Sequence, residues 1–186
     1  MSSSADAADD ALVTVIVPGR DVAAFAGEAL ASMRAQTLTR WRAILVDDGS
    51  VDATSDLFAA AAASDPRFVL VRHPRPLGLG AARNAGLALV RTPYVAFLDA
   101  DDVMMPTALA RLSDTLTETG SDIAVGAYVR LRDAGTGTYA PGPVQPWVRA
   151  ATDPERRGTR YNGRAGRTCR RAPPGCRRAP CRRAWS

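Results

Sequence analysis

Hydrophobic positions fall along this chain in two alternating patterns, short unbroken apolar runs and longer stretches in which apolar side chains return every third or fourth residue. Leu12 to Val17 is the first run, mostly β-branched and ended by Pro18-Gly19, the pattern of a buried strand entering a loop. Val22 to Thr37 then spaces Val22, Phe25, Ala26, Ala29, Leu30 and Met33 at helical intervals, predicting a helix with one apolar face. Ala43 to Val46 is the second strand and runs into Asp47-Asp48-Gly49-Ser50; Asp52 can cap the alanine-rich helix that follows to about Ser64. Phe68 to Val71 makes a third strand, Gly78-Leu79-Gly80 leads into a helix from Ala81 to about Val90, and Tyr94 to Leu98 is a fourth strand. Met105-Pro106 opens a further helix with Leu109, Leu112 and Leu116 as its buried stripe, and Ile123 to Leu131 reads as one more strand.

Strands that are apolar throughout, separated by amphipathic helices, imply an α/β fold: a mostly parallel sheet with helices on both faces. Ligands of such sheets bind beyond the carboxyl ends of the strands. Pro18, Asp47-Asp48 and Asp99 to Asp102 all lie at those ends and are expected to converge on one crevice. In Phe97-Leu98-Asp99-Ala100-Asp101-Asp102 a buried strand stops at three carboxylates within four residues. Clustered anions need solvent, a hydrogen-bonded turn or a cation to neutralise them. A hard dication, Mg²⁺ or Mn²⁺, suits carboxylate oxygens, with substrate phosphates completing its shell. The alternative is a solvated turn before a helix, with Asp102 or a neighbour as its cap.

Charge divides the chain in two. Residues 1–155 hold thirteen arginines and all 19 acidic residues, whereas residues 156–186 hold eleven arginines and no acid, so the net charge of +5 arises entirely from the tail. The tail is almost all Arg, Ala, Pro, Gly and Cys and contains every cysteine. The spacing of Cys169, Cys176 and Cys181, with no histidine nearby, does not suit a structural metal. The chain has no lysine, which suggests GC-rich coding DNA, and an out-of-frame end in such DNA yields this mixture; a basic arm that binds nucleic acid is the competing reading. Either way residues 156–186 are expected to be disordered, as are residues 1–11, which lack the basic and apolar regions of a signal peptide. With no run of about 18 apolar residues, the expectation is a cytoplasmic chain with reduced thiols and one domain over residues 12–155.

Six segments follow one another along the chain: Val13-Thr14-Val15-Ile16-Val17-Pro18, Gln36-Thr37, Val46-Asp47-Asp48-Gly49-Ser50, Asp65-Pro66-Arg67-Phe68, Gly78-Leu79-Gly80-Ala81-Ala82-Arg83-Asn84-Ala85-Gly86 and Tyr94-Val95-Ala96-Phe97-Leu98-Asp99-Ala100-Asp101-Asp102. Together, in this order, they resemble the family 2 glycosyltransferases, which have the GT-A fold. The resemblance covers about Leu12 to Ala151 and implies a Rossmann-like sheet, incomplete at its C-terminal side. More narrowly, the sequence is similar to the glycosyltransferase-like N-terminal part of actinobacterial proteins that also carry a CDP-glycerol glycerophosphotransferase region.

The resemblance implies roles for particular residues. The loop after the first strand and the second aspartate of the Asp-Asp-Gly-Ser turn hold the nucleotide base, which points to Pro18 and Asp48. A carboxylate can accept a hydrogen bond from a pyrimidine N–H; its other role would be to cap the turn through Gly49 and Ser50. Gly19-Arg20-Asp21 stands where the family usually has an aromatic followed by Asn, and Arg20 can stack on a base or pair with a phosphate. Gly78-Leu79-Gly80 with Arg83 fails the dinucleotide fingerprint, because Arg83 occupies the third glycine position. It is either a nucleotide-contacting loop or a glycine turn with Arg83 solvated. Asp101 is implied to bind Mg²⁺ or Mn²⁺ directly, and Asp99 to contact the donor ribose or support the metal. His73, the only histidine, precedes Pro74 at a strand end and is expected on the surface without a catalytic role.

Inverting transfer also needs a general base for the acceptor hydroxyl. The acids after Asp102, namely Asp114, Glu118, Asp122, Asp133, Asp153 and Glu155, lack the context of the family's base, so no catalytic residue is assigned. The expectation is the donor-binding half of a transferase, truncated before its acceptor half and inactive alone, with Val125, Tyr128, Val129 and Trp147 left exposed. Its implied partners are a UDP- or CDP-linked sugar donor and a glycan or polyol-phosphate acceptor, with no specific nucleic acid; peripheral membrane association is allowed for a full-length form. A catalytically silent nucleotide-binding module and a nucleic-acid-binding tail are the alternatives.

Overall fold

The computed structural model describes residues 10–126, 129–133, 139–144 and 183–185. Among the described residues, seven strands and four helices follow in chain order: β1 Val13–Gly19, α1 Ala23–Arg34, β2 Trp41–Asp47, α2 Thr54–Ser64, β3 Phe68–Arg72, α3 Leu79–Ala88, β4 Tyr94–Phe97, α4 Ala108–Thr119, β5 Val129–Asp133, β6 Tyr139–Val144 and β7 Arg183–Trp185. The main sheet has the order β3-β2-β1-β4-β7 and is parallel at every pairing. β5 and β6 form a separate antiparallel pair within a second compact unit.

The apolar runs of β1 and β2 are buried on both faces because helices cover both. Val13, Val15, Val17, Ala43 and Leu45 face one core with Leu30 and Met33 of α1, Phe58 of α2, and Leu109 and Leu116 of α4. Ile16, Ile44 and Val46 face the other, with Ala82 of α3 and Val90. Each fully buried aliphatic or aromatic side chain contributes about 1.5–3 kcal/mol, so two cores on one sheet hold its strand ends in fixed register. α3 lies close on β1: a Cβ at Gly86 would stand 2.6 Å from Cγ2 of Ile16.

Gln36 is a structural residue. Its amide donates to the carbonyls of Ser32 and Met105 and its Oε1 accepts from Leu109 N–H, joining the end of α1 to the start of α4. The segment that follows the acidic cluster is thereby fixed at both ends, with Thr37 N–H also donating to the Pro106 carbonyl.

Several boundaries differ from the periodic reading. β1 continues through Pro18 and Gly19, in register with Val46 and Asp47, because pairing with β2 holds them extended. The helix expected from Met105-Pro106 begins at Ala108, so neither Asp102 nor its neighbours cap it. Of the strand expected over Ile123 to Leu131, residues 123–126 are not strand, and Ile123 and Val125 are exposed; only Val129 onward pairs, with β6. The side chains of Tyr128, Val129 and Trp147 lie outside the described residues. In the tail, Arg183–Trp185 pairs with β4, whose outer edge offers unpaired backbone groups; the remainder of residues 156–186, and residues 1–9, lie outside the described residues. No helix among the described residues is long and apolar enough to cross a membrane.

Candidate nucleotide and metal site

β1 is the strand on which the polar segments meet. Its last carbonyls serve both neighbours: Gly19 accepts from Asp48 N–H at 3.0 Å and Pro18 from Ala100 N–H at 3.2 Å. Pro18 is buried, and its contribution is that carbonyl, which ties the acidic segment after β4 to β1. Arg20 is exposed and pairs with Asp21 at 3.4 Å. The loop it belongs to is stitched to the Asp-Asp-Gly-Ser turn: Asp21 N–H donates to Ser50 Oγ and Asp21 Oδ1 accepts from Val51 N–H. Asp52 accepts from the first N–H groups of two helices, Ala23 of α1 and Thr54 of α2, so the predicted cap serves both.

The two aspartates of the turn have different tasks. Asp47 Oδ1 accepts from Ser50 N–H and closes the turn, the role weighed for Asp48. Asp48 has a side chain only 5% exposed and accepts three hydrogen bonds: from His73 Nδ1 at 2.7 Å, Leu77 N–H at 2.9 Å and Gly78 N–H at 2.7 Å. Burial works against ionisation of Asp48, yet the bond from His73 and those from Leu77 and Gly78 outweigh it and hold the carboxyl below the ordinary carboxylate range. Gly49 allows the approach. Its φ is +69°, and a Cβ there would lie 2.6 Å from the carbonyl carbon of Arg75.

His73 is therefore not the surface residue expected; its side chain is 12% exposed and bonded to Asp48. The parallel register explains this, because Asp47 pairs with Arg72 and the next residues, Asp48 and His73, leave the two strands side by side. The sequence contained that signal once the strands were aligned. The glycine loop differs too, since the Gly78 N–H that could have approached a phosphate is taken by Asp48. His73 borders an open cleft of about 550 Å³, shared with Asp47, Ser50, Arg72 and Arg75.

At the end of β4, Asp99 is bound by Arg83 of α3 at 2.7 Å, so Arg83 is not merely solvated. Its guanidinium lies 5.7 Å from the centre of the Phe97 ring, and its buried Nε has no hydrogen-bond partner among the described residues. The pair is partly exposed on both sides, which limits it to about 0–1 kcal/mol. Asp101 and Asp102 are exposed, and Asp102 N–H closes a turn onto the Asp99 carbonyl. Desolvation by the surrounding chain, then the charges of Asp101 and Asp99, push the Asp102 carboxyl above its ordinary value even though the residue reaches the surface. This surplus of negative charge on hard oxygens suits a divalent cation, with Asp101 the carboxylate best placed by charge because Asp99 already has Arg83. Among the described residues, no group of three or more Asp, Glu, His or Cys side chains is arranged to hold a metal ion by itself. Carboxylates sharing a cation with ligand phosphates do not require one.

Comparison with known proteins adds a family to this geometry. The sequence pattern of glycosyl transferase family 2 matches residues 14–177. The chain is similar to the uncharacterized glycosyltransferase EpsJ of Bacillus subtilis, 33% identical over 144 residues, 77% of this chain and 41% of EpsJ. It is also similar to the succinoglycan biosynthesis protein ExoO of Rhizobium meliloti, 38% identical over 113 residues, 61% of this chain and 32% of ExoO. Among solved structures, the mannosyltransferase PcManGT from Pyrobaculum calidifontis in complex with GDP-Man and Mn²⁺ matches with a TM-score of 0.57 and 27% identity, covering 66% of this chain and 36% of that one. S. aureus TarS 1-349 in complex with UDP-GlcNAc shares the fold, with a TM-score of 0.59 and 23% identity over 70% of this chain and 37% of that one. The chain spans less than half the length of each of these relatives.

Proposed function

Since the chain belongs to glycosyl transferase family 2, we propose that its α/β unit binds a nucleoside-diphosphate sugar with a divalent cation and presents the sugar for transfer to an acceptor hydroxyl. One observation carries this reading: of two acidic segments tied to the end of β1, one holds Asp48 with three donors from within the chain, whereas the other sets three carboxylates within four residues with Arg83 bound to Asp99. Asp48 is held ionised by internal donors and suits recognition of a base N–H, with the Pro18 to Arg20 loop beside it. Asp99 to Asp102 carries uncompensated negative charge and suits a cation. Asp101 would hold Mg²⁺ or Mn²⁺, and Asp99 would turn to the ribose, with Arg83 released toward the diphosphate. When bound, the dication stabilises the negative charge that develops on the departing nucleoside diphosphate. The GDP-Man and Mn²⁺ of the mannosyltransferase and the UDP-GlcNAc of the fold neighbour support this ligand class.

The acceptor, a glycan or a polyol phosphate on the narrower resemblance, needs a base that takes its proton. Of the carboxylates after Asp102 in described segments, Asp114 and Glu118 are exposed on α4, Asp122 is exposed beyond it, and Asp133 ends β5. None is assigned that role, so the proposal is donor binding by this chain alone without turnover at a normal rate. General-base catalysis contributes about 10² to 10⁴ in rate. Titration calorimetry with UDP and CDP, with Mn²⁺ and with EDTA, tests binding. Heat that depends on Mn²⁺ is the expected result; equal heat in EDTA, or none in any condition, refutes the reading. Turnover is followed with radiolabelled UDP- and CDP-linked donors against mixed acceptors, and transfer at a normal enzymatic rate refutes the separation of binding from turnover.

A further inference from the structure

Asp48 can serve as a base ligand only if its carboxylate stays ionised, fixed in orientation, and able to accept one bond more than it already has. A carboxylate has about four acceptor positions, and three are filled here. Two donors, His73 Nδ1 and Leu77 N–H, converge on Oδ1, whereas Oδ2 takes Gly78 N–H alone. Backbone donors hold the carboxylate to the loop, and His73 is the one side chain among the described residues that donates to it. An ionised Asp48 cannot donate, so the imidazole must carry its proton on Nδ1, and the pair fixes both the tautomer and the carboxylate rotamer. The other charged groups around the His73 cleft are Asp47, Arg72 and Arg75.

We infer that His73 is a positioning residue that keeps Asp48 an acceptor-only ligand and so sets a preference for a base with an imino N–H, uracil over cytosine. The inference rests on the donor-binding reading above. Uracil presents N–H at ring position 3 to the remaining acceptor site on Asp48, whereas cytosine presents a lone pair, which the carboxylate repels. Without the His73 donor, Asp48 loses the bond that opposes its desolvation and fixes Oδ1, and it can rotate or take up a proton. A protonated or rotated carboxyl no longer tells the two bases apart.

The experiment is calorimetric titration of the 186-residue chain with UDP and with CDP in Mn²⁺, comparing wild type with His73→Ala, His73→Phe and His73→Asn, with thermal melting as the folding control. Asn can place a side-chain N–H near the Nδ1 position, whereas Phe keeps the ring volume without a donor. The expected result is tighter UDP than CDP in wild type. In the Ala and Phe variants UDP should weaken about tenfold or more while CDP stays within about threefold, and His73→Asn should retain the preference. If the alanine variant fails to fold, the Phe and Asn pair decides. Wild-type affinity for UDP in the Phe variant, equal losses for UDP and CDP, or failure of Asn to rescue would each overturn the role of His73 while leaving donor binding intact. A wild-type chain that binds neither nucleotide defeats the donor-binding reading itself, and this inference with it.

Discussion

Replacing Gly49 by alanine tests whether the loop after β3 is strapped against the Asp-Asp-Gly-Ser turn as tightly as the geometry requires. Gly49 has φ +69°, and an L residue in that region costs about 1–2 kcal/mol. The added Cβ would also stand 2.6 Å from the Arg75 carbonyl carbon and 2.7 Å from Pro76 N. These are backbone atoms of a segment held from the other side by Leu77 and Gly78 N–H on Asp48, so relief requires moving the loop or breaking those bonds. Overpacking of this kind costs about 1–3 kcal/mol, for an expected loss of about 2–5 kcal/mol. Gly120 is the control: its φ is +64°, but nothing lies within 4 Å of its Cβ position, so Gly120→Ala should lose only about 1–2 kcal/mol. Urea unfolding followed by circular dichroism measures both, and UDP titration should show weakened binding for Gly49→Ala alone. Equal losses in the two variants, with unchanged UDP affinity, would refute the claim that Asp48 and Gly49 lock this loop.

Asp101→Asn should abolish most of the Mn²⁺-dependent part of UDP binding, and Asp102→Asn much less, measured by titration with and without EDTA. Because the Asp48 carboxyl lies below its ordinary value in the folded chain, its contribution to stability is present above about pH 4 and is lost as pH falls through that lower value. Asp48→Asn should therefore flatten the acid side of a plot of urea midpoint against pH. A double-mutant cycle on Arg83 and Asp99 should give a coupling below about 1 kcal/mol in stability, since both side chains are partly exposed.

The parallel sheet was legible because β1 and β2 are apolar at consecutive positions, which only a sheet covered on both faces allows. The end of β1 was not, because Pro18-Gly19 normally marks a turn and only pairing with Val46 and Asp47 keeps it extended. The partnership of Asp48 with His73 follows from strand register rather than from either residue's neighbours in sequence. That of Arg83 with Asp99 depends on how closely α3 settles on Ile16 through Gly86, a packing distance that periodicity does not encode. The bonds from Leu77 and Gly78 to Asp48 were hidden for a related reason: they require a close loop approach made possible by one positive φ.

Two acidic motifs that look alike in sequence are thus set apart by what surrounds them. Asp47 and Asp48 sit where β2 and β3 end together: Ser50 N–H of their own turn satisfies Asp47, and the end of β3 and its loop supply an imidazole and two N–H groups that satisfy Asp48 from within. Asp99 to Asp102 follows β4, and among the described residues the side-chain donor found there is the guanidinium of Arg83, on Asp99. The following segment is anchored through Gln36 and Ser32 to α1 and α4, by bonds that end on backbone groups of Met104, Met105 and Leu109, not on the acidic side chains. One motif therefore has its charge compensated by the protein and retains directional acceptor capacity, which suits reading a base. The other keeps a surplus that raises Asp102, which suits drawing in a cation with its anionic ligand. Exchanging those surroundings, rather than the aspartates themselves, is what would exchange their chemistry.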